Sequence, residues 1–287
     1  MQCRKCHFEN PEGSVECRKC GIVFAKYHPP QEPAKPVEPP AEDLELQKKR
    51  QDELRTEFRC RLLGIPVALI VMRLGVATIP FGVRLLTMLV HETGHAVAAW
   101  ICGYLAVPLL WFTAHTETQE SVVPLMIVLG LGILCFWAWK TNRWHVIAIS
   151  VAVLFLHWIC WHARYDRAQE IIVFFGDGGA LVLGTFLMLT LYVPRESPIY
   201  REELRWGFLA IGAAAFVDTF HSWSGSESDI PFGVQEGTQT DPSKLVEFYG
   251  WTIPDMVHRY LLLAELCFIA LAIVYVIGLI QARRKMV

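Results

Sequence analysis

Charged residues are scarce in this 287-residue chain, 19% against 53% apolar, and the formal net charge is only -2. With so little polar surface and a positive mean hydropathy, an ordinary soluble domain of this length is excluded, and a membrane protein is expected. The small net charge identifies no partner, because the charges are segregated: the first sixty residues are mostly polar and long apolar runs follow. The opening "MQCRKCHFEN" lacks any apolar stretch able to serve as a secretory signal. The polar head is therefore expected in the reducing cytosol, where its cysteines are thiolates or metal ligands and not disulfides. No internal repeat is visible.

Four of the nine cysteines form two pairs, Cys3-x-x-Cys6 and Cys17-x-x-Cys20, separated by ten residues. Each pair delivers two sulfurs from one tight turn, which suits tetrahedral zinc, and a unit this short has too little core to fold without such a staple. The stretch "CRKCHFENPEGSVECRKCGIVFAKY" resembles the small zinc ribbons at the ends of many bacterial proteins, with "GIVFAKY" expected as a short strand. Arg4, Lys5, Arg18 and Lys19 make the knuckles basic. They lack the interleaved aromatics that a nucleic-acid surface needs, so a docked protein partner is the expectation. Cys60, Cys102, Cys135, Cys160 and Cys267 lie singly in or beside apolar runs, where a free cysteine behaves as a small core residue.

The organisation follows from composition. A zinc ribbon over residues 1–27 leads into a Pro/Glu-rich linker over 28–43, expected to be extended and semi-rigid. Residues 44–61 read as a charged juxtamembrane helix whose Lys48, Lys49, Arg50, Arg55, Arg59 and Arg61 either meet anionic lipid head groups or are simply solvated. Residues 62–287 form a helical membrane domain with seven apolar segments at 62–80, 82–103, 122–139, 144–161, 171–193, 206–222 and 260–280. Each reaches the roughly 17–25 residues that a span requires. The expected class is thus an all-α polytopic membrane protein of six to seven apolar helices with a small N-terminal zinc ribbon.

Loop charge gives the orientation. Lys140 and Arg143, then Arg195, Arg201 and Arg205, then Arg283, Arg284 and Lys285 mark one side as cytosolic, while residues 112–121 carry no Lys or Arg. The loop over 222–255 is acidic, with Glu227, Asp229, Glu236, Asp241, Glu247 and Asp255 against one lysine. It is too long for a mere connector, and reads as a lid, a substrate-selecting element or a disordered loop. Ribbon and C-terminus both face the cytosol, of a bacterial inner membrane, if segment 62–80 is re-entrant or interfacial and six others cross.

The chemistry lies in His91-Glu92-Thr93-Gly94-His95. Histidines four apart on a helix project from one face and can hold one metal, with Glu92 beside them as general base for a metal-activated water. An ionisable group at mid-bilayer costs about 2.5–3.5 kcal/mol on insertion scales, so a glutamate between two histidines in such a helix needs a partner or a role. A third ligand must come from another apolar helix. Asp177 in "FFGDGGALV" is the leading candidate, because Gly176, Gly178 and Gly179 allow close packing. In antiparallel spans it sits about 7–8 Å off the level of Glu92, an offset that a tilt would remove. Asp218 and His221, three apart, are further candidates, and His115 is a possible substrate contact. His157 and Glu265 are more simply packed, hydrogen-bonded residues.

Through "HETGHA" and "DGG" the sequence resembles the site-2 protease family of intramembrane zinc metalloproteases. The resemblance implies zinc held by His91, His95 and Asp177, Glu92 as general base, and hydrolysis of a peptide bond in or beside a substrate's membrane segment. It departs from that family in having no Asn-Pro element ahead of Asp177, no inserted PDZ-like domain, and two apolar segments between the motifs where one is typical. The expected activity is intramembrane zinc metallopeptidase, with one structural zinc in the ribbon and one catalytic zinc in the membrane domain. Its expected partners are a membrane-protein or peptide substrate, a protein at the ribbon, and the bilayer. The rival readings are a non-catalytic scaffold or sensor and a metal or solute transporter.

Overall fold

The computed structural model describes residues 1–27, 41–235 and 238–286. It divides into two compact units, residues 1–51 and 52–287. The linker expected over 28–43 lies largely outside the described residues. In the first unit the two cysteine turns are backed by isolated bridges, Gln2 to Glu9 and Glu16 to Val23. The strand expected from "GIVFAKY" is not formed: it reduces to that one bridge at Val23, and Phe24–Lys26 turn into a 3-10 helix.

The second unit is helical, in the order α1 (Ala41–Thr78, begun in the first unit), α2 (Pro80–Ile101), α3 (Val122–Lys140), α4 (Trp144–Trp161), α5 (Tyr165–Leu189), α6 (Pro198–Arg201), α7 (Leu204–Ser224), α8 (Asp241–Tyr249) and α9 (Ile253–Arg284). Between α2 and α3 lies an antiparallel hairpin of β1 (Ala106–Pro108) and β2 (Thr113–His115). Five helices, α1, α3, α4, α5 and α9, are long and apolar enough to cross a membrane. This is an integral membrane protein.

Two expectations need correction. The charged segment 44–61 and the apolar segment 62–80 are not separate pieces: one helix runs from Ala41 through Pro66 to Thr78. Pro66 has no N–H for the carbonyl of Leu62 four residues back. The Tyr275 hydroxyl of α9 donates to that carbonyl at 3.0 Å instead, which removes the cost of the missing bond. The helix stops where Ile79, forced out of the helical region ahead of Pro80, takes φ -136° and ψ 56°. Secondly, α2 and α7, two of the seven expected spans, are less apolar than these five. They carry the polar groups, Arg84, Thr87, His91, Glu92 and His95 on one and Arg205, Asp218 and His221 on the other. Most of these groups are shielded because α2 and α7 both pack extensively on α5; Arg84 alone among them is exposed. The α3–α4 hairpin touches the rest only lightly, through α2.

Small residues set how closely the central helices approach. A Cβ on Gly94 would strike the backbone of Phe175 and Gly179, and one on Gly179 would strike the backbone of Gly94. At the opposite end from the acidic segment, Glu57 ties α1 to α7. Its carboxylate accepts from Arg61 Nε at 2.7 Å, Arg205 Nη1 at 3.1 Å and Tyr200 Oη at 2.8 Å. A buried carboxylate shared by two guanidiniums keeps its charge only because every oxygen is occupied. In the same region the Tyr192 hydroxyl donates to the carbonyl of Arg61, so the start of the membrane domain and the far end of α9 meet at one end of the bundle.

Gly94→Ala is expected to destabilise the protein by about 1–3 kcal/mol through forced separation of α2 and α5. Gly130, which has nothing within 4 Å of its missing side chain, should accept alanine within about 0.5 kcal/mol. Thermal unfolding in detergent compares the two, and equal Tm values would remove the argument for a backbone-limited contact.

Candidate metal centre

His91 and His95 stand one turn apart on the buried face of α2, with ring centroids 4.8 Å apart and planes at 83°. Gly176 opposite leaves the space that both imidazoles occupy. Each ring is anchored through Nδ1. His95 Nδ1 donates to the carbonyl of Ile172 at 2.7 Å, and His91 Nδ1 donates to Asp177 Oδ1 at 3.0 Å. With Nδ1 protonated, a neutral ring presents a lone pair at Nε2, the tautomer a metal ligand needs.

Both Nε2 atoms face a carboxylate that the spacing of residues gave no reason to expect. Asp241, the first residue of α8, brings its Oδ2 to 2.8 Å from His95 Nε2 and 3.2 Å from His91 Nε2, and the two nitrogens are 3.1 Å apart. With both rings neutral, three lone pairs meet, an arrangement that a cation at the centre would relieve. Tetrahedral zinc with bonds of about 2.0–2.1 Å spaces its donors about 3.3 Å apart, so shifts of a few tenths of an ångström would seat it. The donors suit the ion, and their far sides are braced. Asp241 Oδ1 accepts from Lys244 Nζ at 3.2 Å.

Asp177 therefore stands elsewhere than the resemblance implies. The expected offset from Glu92 does not keep it from the histidines, but its carboxylate lies on the far nitrogen of His91, with Oδ2 accepting from Trp223 Nε1 at 2.8 Å. Both oxygens orient neighbours, and neither enters the cluster of His91, His95 and Asp241. Glu92 is buried. The Thr113 hydroxyl of β2 lies 2.7 Å from its carbonyl oxygen and 2.8 Å from Oε2, fixing the carboxylate against α2. His91, Glu92, His95, Asp177 and Asp241 line one cavity of about 850 Å³, which Asp218 and His115 also line. Asp218 Oδ2 accepts from Thr87 Oγ1 at 2.9 Å, away from the imidazoles. His221 is not part of the lining. His157 is buried against Ile101, to whose carbonyl it donates at 2.7 Å, and Glu265 is exposed on α9.

Asp241, Thr113 and Trp223 escaped sequence reasoning. Asp241 is 150 residues from His91, and "TDPS" signals only the start of a helix, with proline in its first turn. The acidic character of the segment was visible, but its destination was not.

In the N-terminal unit Cys3 and Cys20 place their sulfurs 3.7 Å apart, and Cys6 and Cys17 3.6 Å apart. All four lie within 4.8 Å of one another, against about 3.8 Å expected around a tetrahedral zinc with 2.3 Å bonds. This cluster can hold a metal ion. Asn10 braces it, donating to Cys17 Sγ and accepting from the Arg18 amide. Burial resists ionisation of Cys17, but the amides of Cys20 and Lys19 outweigh it and bring that thiol down to about 6.

Metal analysis of the purified full chain tests both clusters. Two zinc ions per chain are expected, one lost on Cys3→Ser with Cys17→Ser and the other on His91→Ala. Asp177→Asn, which leaves the donors in place but frees the ring, should weaken the membrane site by about 10–100-fold. Unchanged zinc content in His91→Ala would sink the second site. Comparison of the chain with protein-family models, with curated proteins and with solved structures finds no match.

Proposed function

We propose that the protein is an intramembrane zinc metallopeptidase that cleaves membrane-associated peptide substrates, with its zinc ribbon recruiting a protein partner. The observation that carries this reading is the convergence of two imidazole lone pairs and one carboxylate beside a buried glutamate in a membrane domain. His91, His95 and Asp241 would hold the zinc, with Asp177 and the Ile172 carbonyl fixing the ring orientations. Zinc bound there supplies electrophilic polarisation of the scissile carbonyl and lowers the pKa of water toward about 7.

The remaining work falls to the protein. Thr113 occupies Glu92 Oε2 and leaves Oε1 to take the proton of the attacking water and to return one to the leaving amine. The cavity brings Phe81, Leu85, Met88, Trp111 and Phe112 to its walls, and Phe81 and Phe112 are largely exposed. Such a lining suits an apolar peptide arriving from the bilayer. A transport path is a poorer account, since of His157, Asp218, His221 and Glu265, the polar groups such a path would need, only Asp218 lines the cavity.

The meeting of Arg61 and Leu62 with Tyr192 and Tyr275 supports one orientation. With both ends of the membrane domain at one face, the chain makes an even number of crossings. Arg195, Arg201, Arg205, Arg283 and Arg284 gather at that face, which the positive-inside rule assigns to the cytosol. Six crossings satisfy this if α1 and the start of α2 together make one. Ribbon and C-terminus are then cytosolic, and the segment carrying Asp241 is external.

Glu92→Gln is the discriminating variant. It should retain zinc and lose cleavage by about 10²–10⁴-fold, read as the disappearance of protein-dependent fragments from the membrane proteome of cells expressing wild type or variant. Identical fragments from both would defeat the peptidase reading.

A further inference from the structure

Two cysteines that look isolated in the sequence meet in the fold. Cys102 caps α2, and Cys160 lies in the last turn of α4. Both are buried in one apolar cluster with Ala98, Ala99 and Tyr104. The chain on either side is pinned. Gln119 Nε2 donates to the carbonyl of Cys102 at 2.8 Å and to that of Trp161 at 2.9 Å. His157 Nδ1 reaches the carbonyl of Ile101, and the ring of Trp161 fills the space left by Gly103. A cross-link here therefore asks for little backbone movement, which is the condition a disulfide imposes.

The pair also lies at the right end of the bundle. Helix α4 begins after Lys140 and Arg143 and ends at Trp161, so the cysteines are a full helix length from that basic turn. Ala168, near the start of α5, shares their cluster, and the Arg195–Arg205 segment follows the other end of that helix. By the orientation proposed above this end is external, where thiols are oxidised. The inference depends on that orientation and is independent of the peptidase reading.

We propose that Cys102 and Cys160 form a disulfide that ties the end of the histidine-bearing helix α2 to the α3–α4 hairpin. The hairpin has few other attachments to the central helices, so a covalent link at α2 secures it. In the folding chain, before burial, the Cys160 thiolate attacks a disulfide of an external dithiol oxidase, giving a mixed disulfide. The Cys102 thiolate then displaces the oxidase sulfur, and two electrons and two protons leave in the two thiols of the reduced oxidase.

The full-length protein, denatured straight from membranes in N-ethylmaleimide and digested without reductant, should yield a peptide pair joining Cys102 to Cys160. Its mass should fall two hydrogens below that of the separate thiol peptides, and dithiothreitol should split it. Maleimide on both cysteines, or linkage of either to another residue, would overturn the proposal. Wild type should also lose Tm on treatment with dithiothreitol while Cys102→Ser with Cys160→Ser does not respond. An equal response of the two would count against the bridge.

Discussion

Where α2 crosses α5, Gly94 and Gly179 meet backbone to backbone, with no room for a side chain on either. Lipid tails are as apolar as leucine, so the hydrophobic effect does little to hold helices together in a bilayer, and close van der Waals contact has to do it. The same closeness sets the polar geometry. His91 reaches a carboxylate on α5 at 3.0 Å, and His95 a carbonyl there at 2.7 Å, only because the two axes approach this far. Pushing them apart by the width of a methyl group would break both anchors and leave the imidazoles free to rotate. The alanines at 96, 98 and 99 and the glycines at 176 and 179 thus belong to the metal centre as much as its donors do.

How much of this could be read from the sequence depended on distance along the chain. The histidine pair and Glu92 were legible because a helix brings residues four apart together by its own geometry. Asp177 was legible as a polar group facing α2, through the glycines around it. Its role was not, since whether a carboxylate takes Nδ1 or Nε2 of an imidazole depends on ring orientation, and that is settled by Trp223 on a third helix. Asp241 belongs to a polar stretch whose local signals describe a helix start and nothing more. The one-piece α1 was hidden for a related reason: Pro66 argues for a break, and the Tyr275 hydroxyl that compensates for it is more than two hundred residues away.

The segment that delivers Asp241 is held by a core of its own, in which Trp223, Ile230, Leu245, Met256 and Tyr260 are buried together. Trp223 stacks on Tyr260 at 4.1 Å, and its indole N–H is the donor that fixes Asp177. One side chain therefore serves the docked segment and the imidazole anchor at once. Undocking α8 would remove a donor from the centre and open the cluster in which Trp223 is buried. Binding and docking are then linked: a cation that needs all three donors is held tightly only with α8 in place, and its binding free energy adds to the stability of the docked state. The linkage is reciprocal, so whatever lifts α8, including a substrate that needs the space it covers, must also loosen the ion unless it supplies a donor itself. On the peptidase reading proposed above, His91 and His95 would hold the ion while α8 is lifted, and a peptide carbonyl is a donor able to stand in for the Asp241 carboxylate.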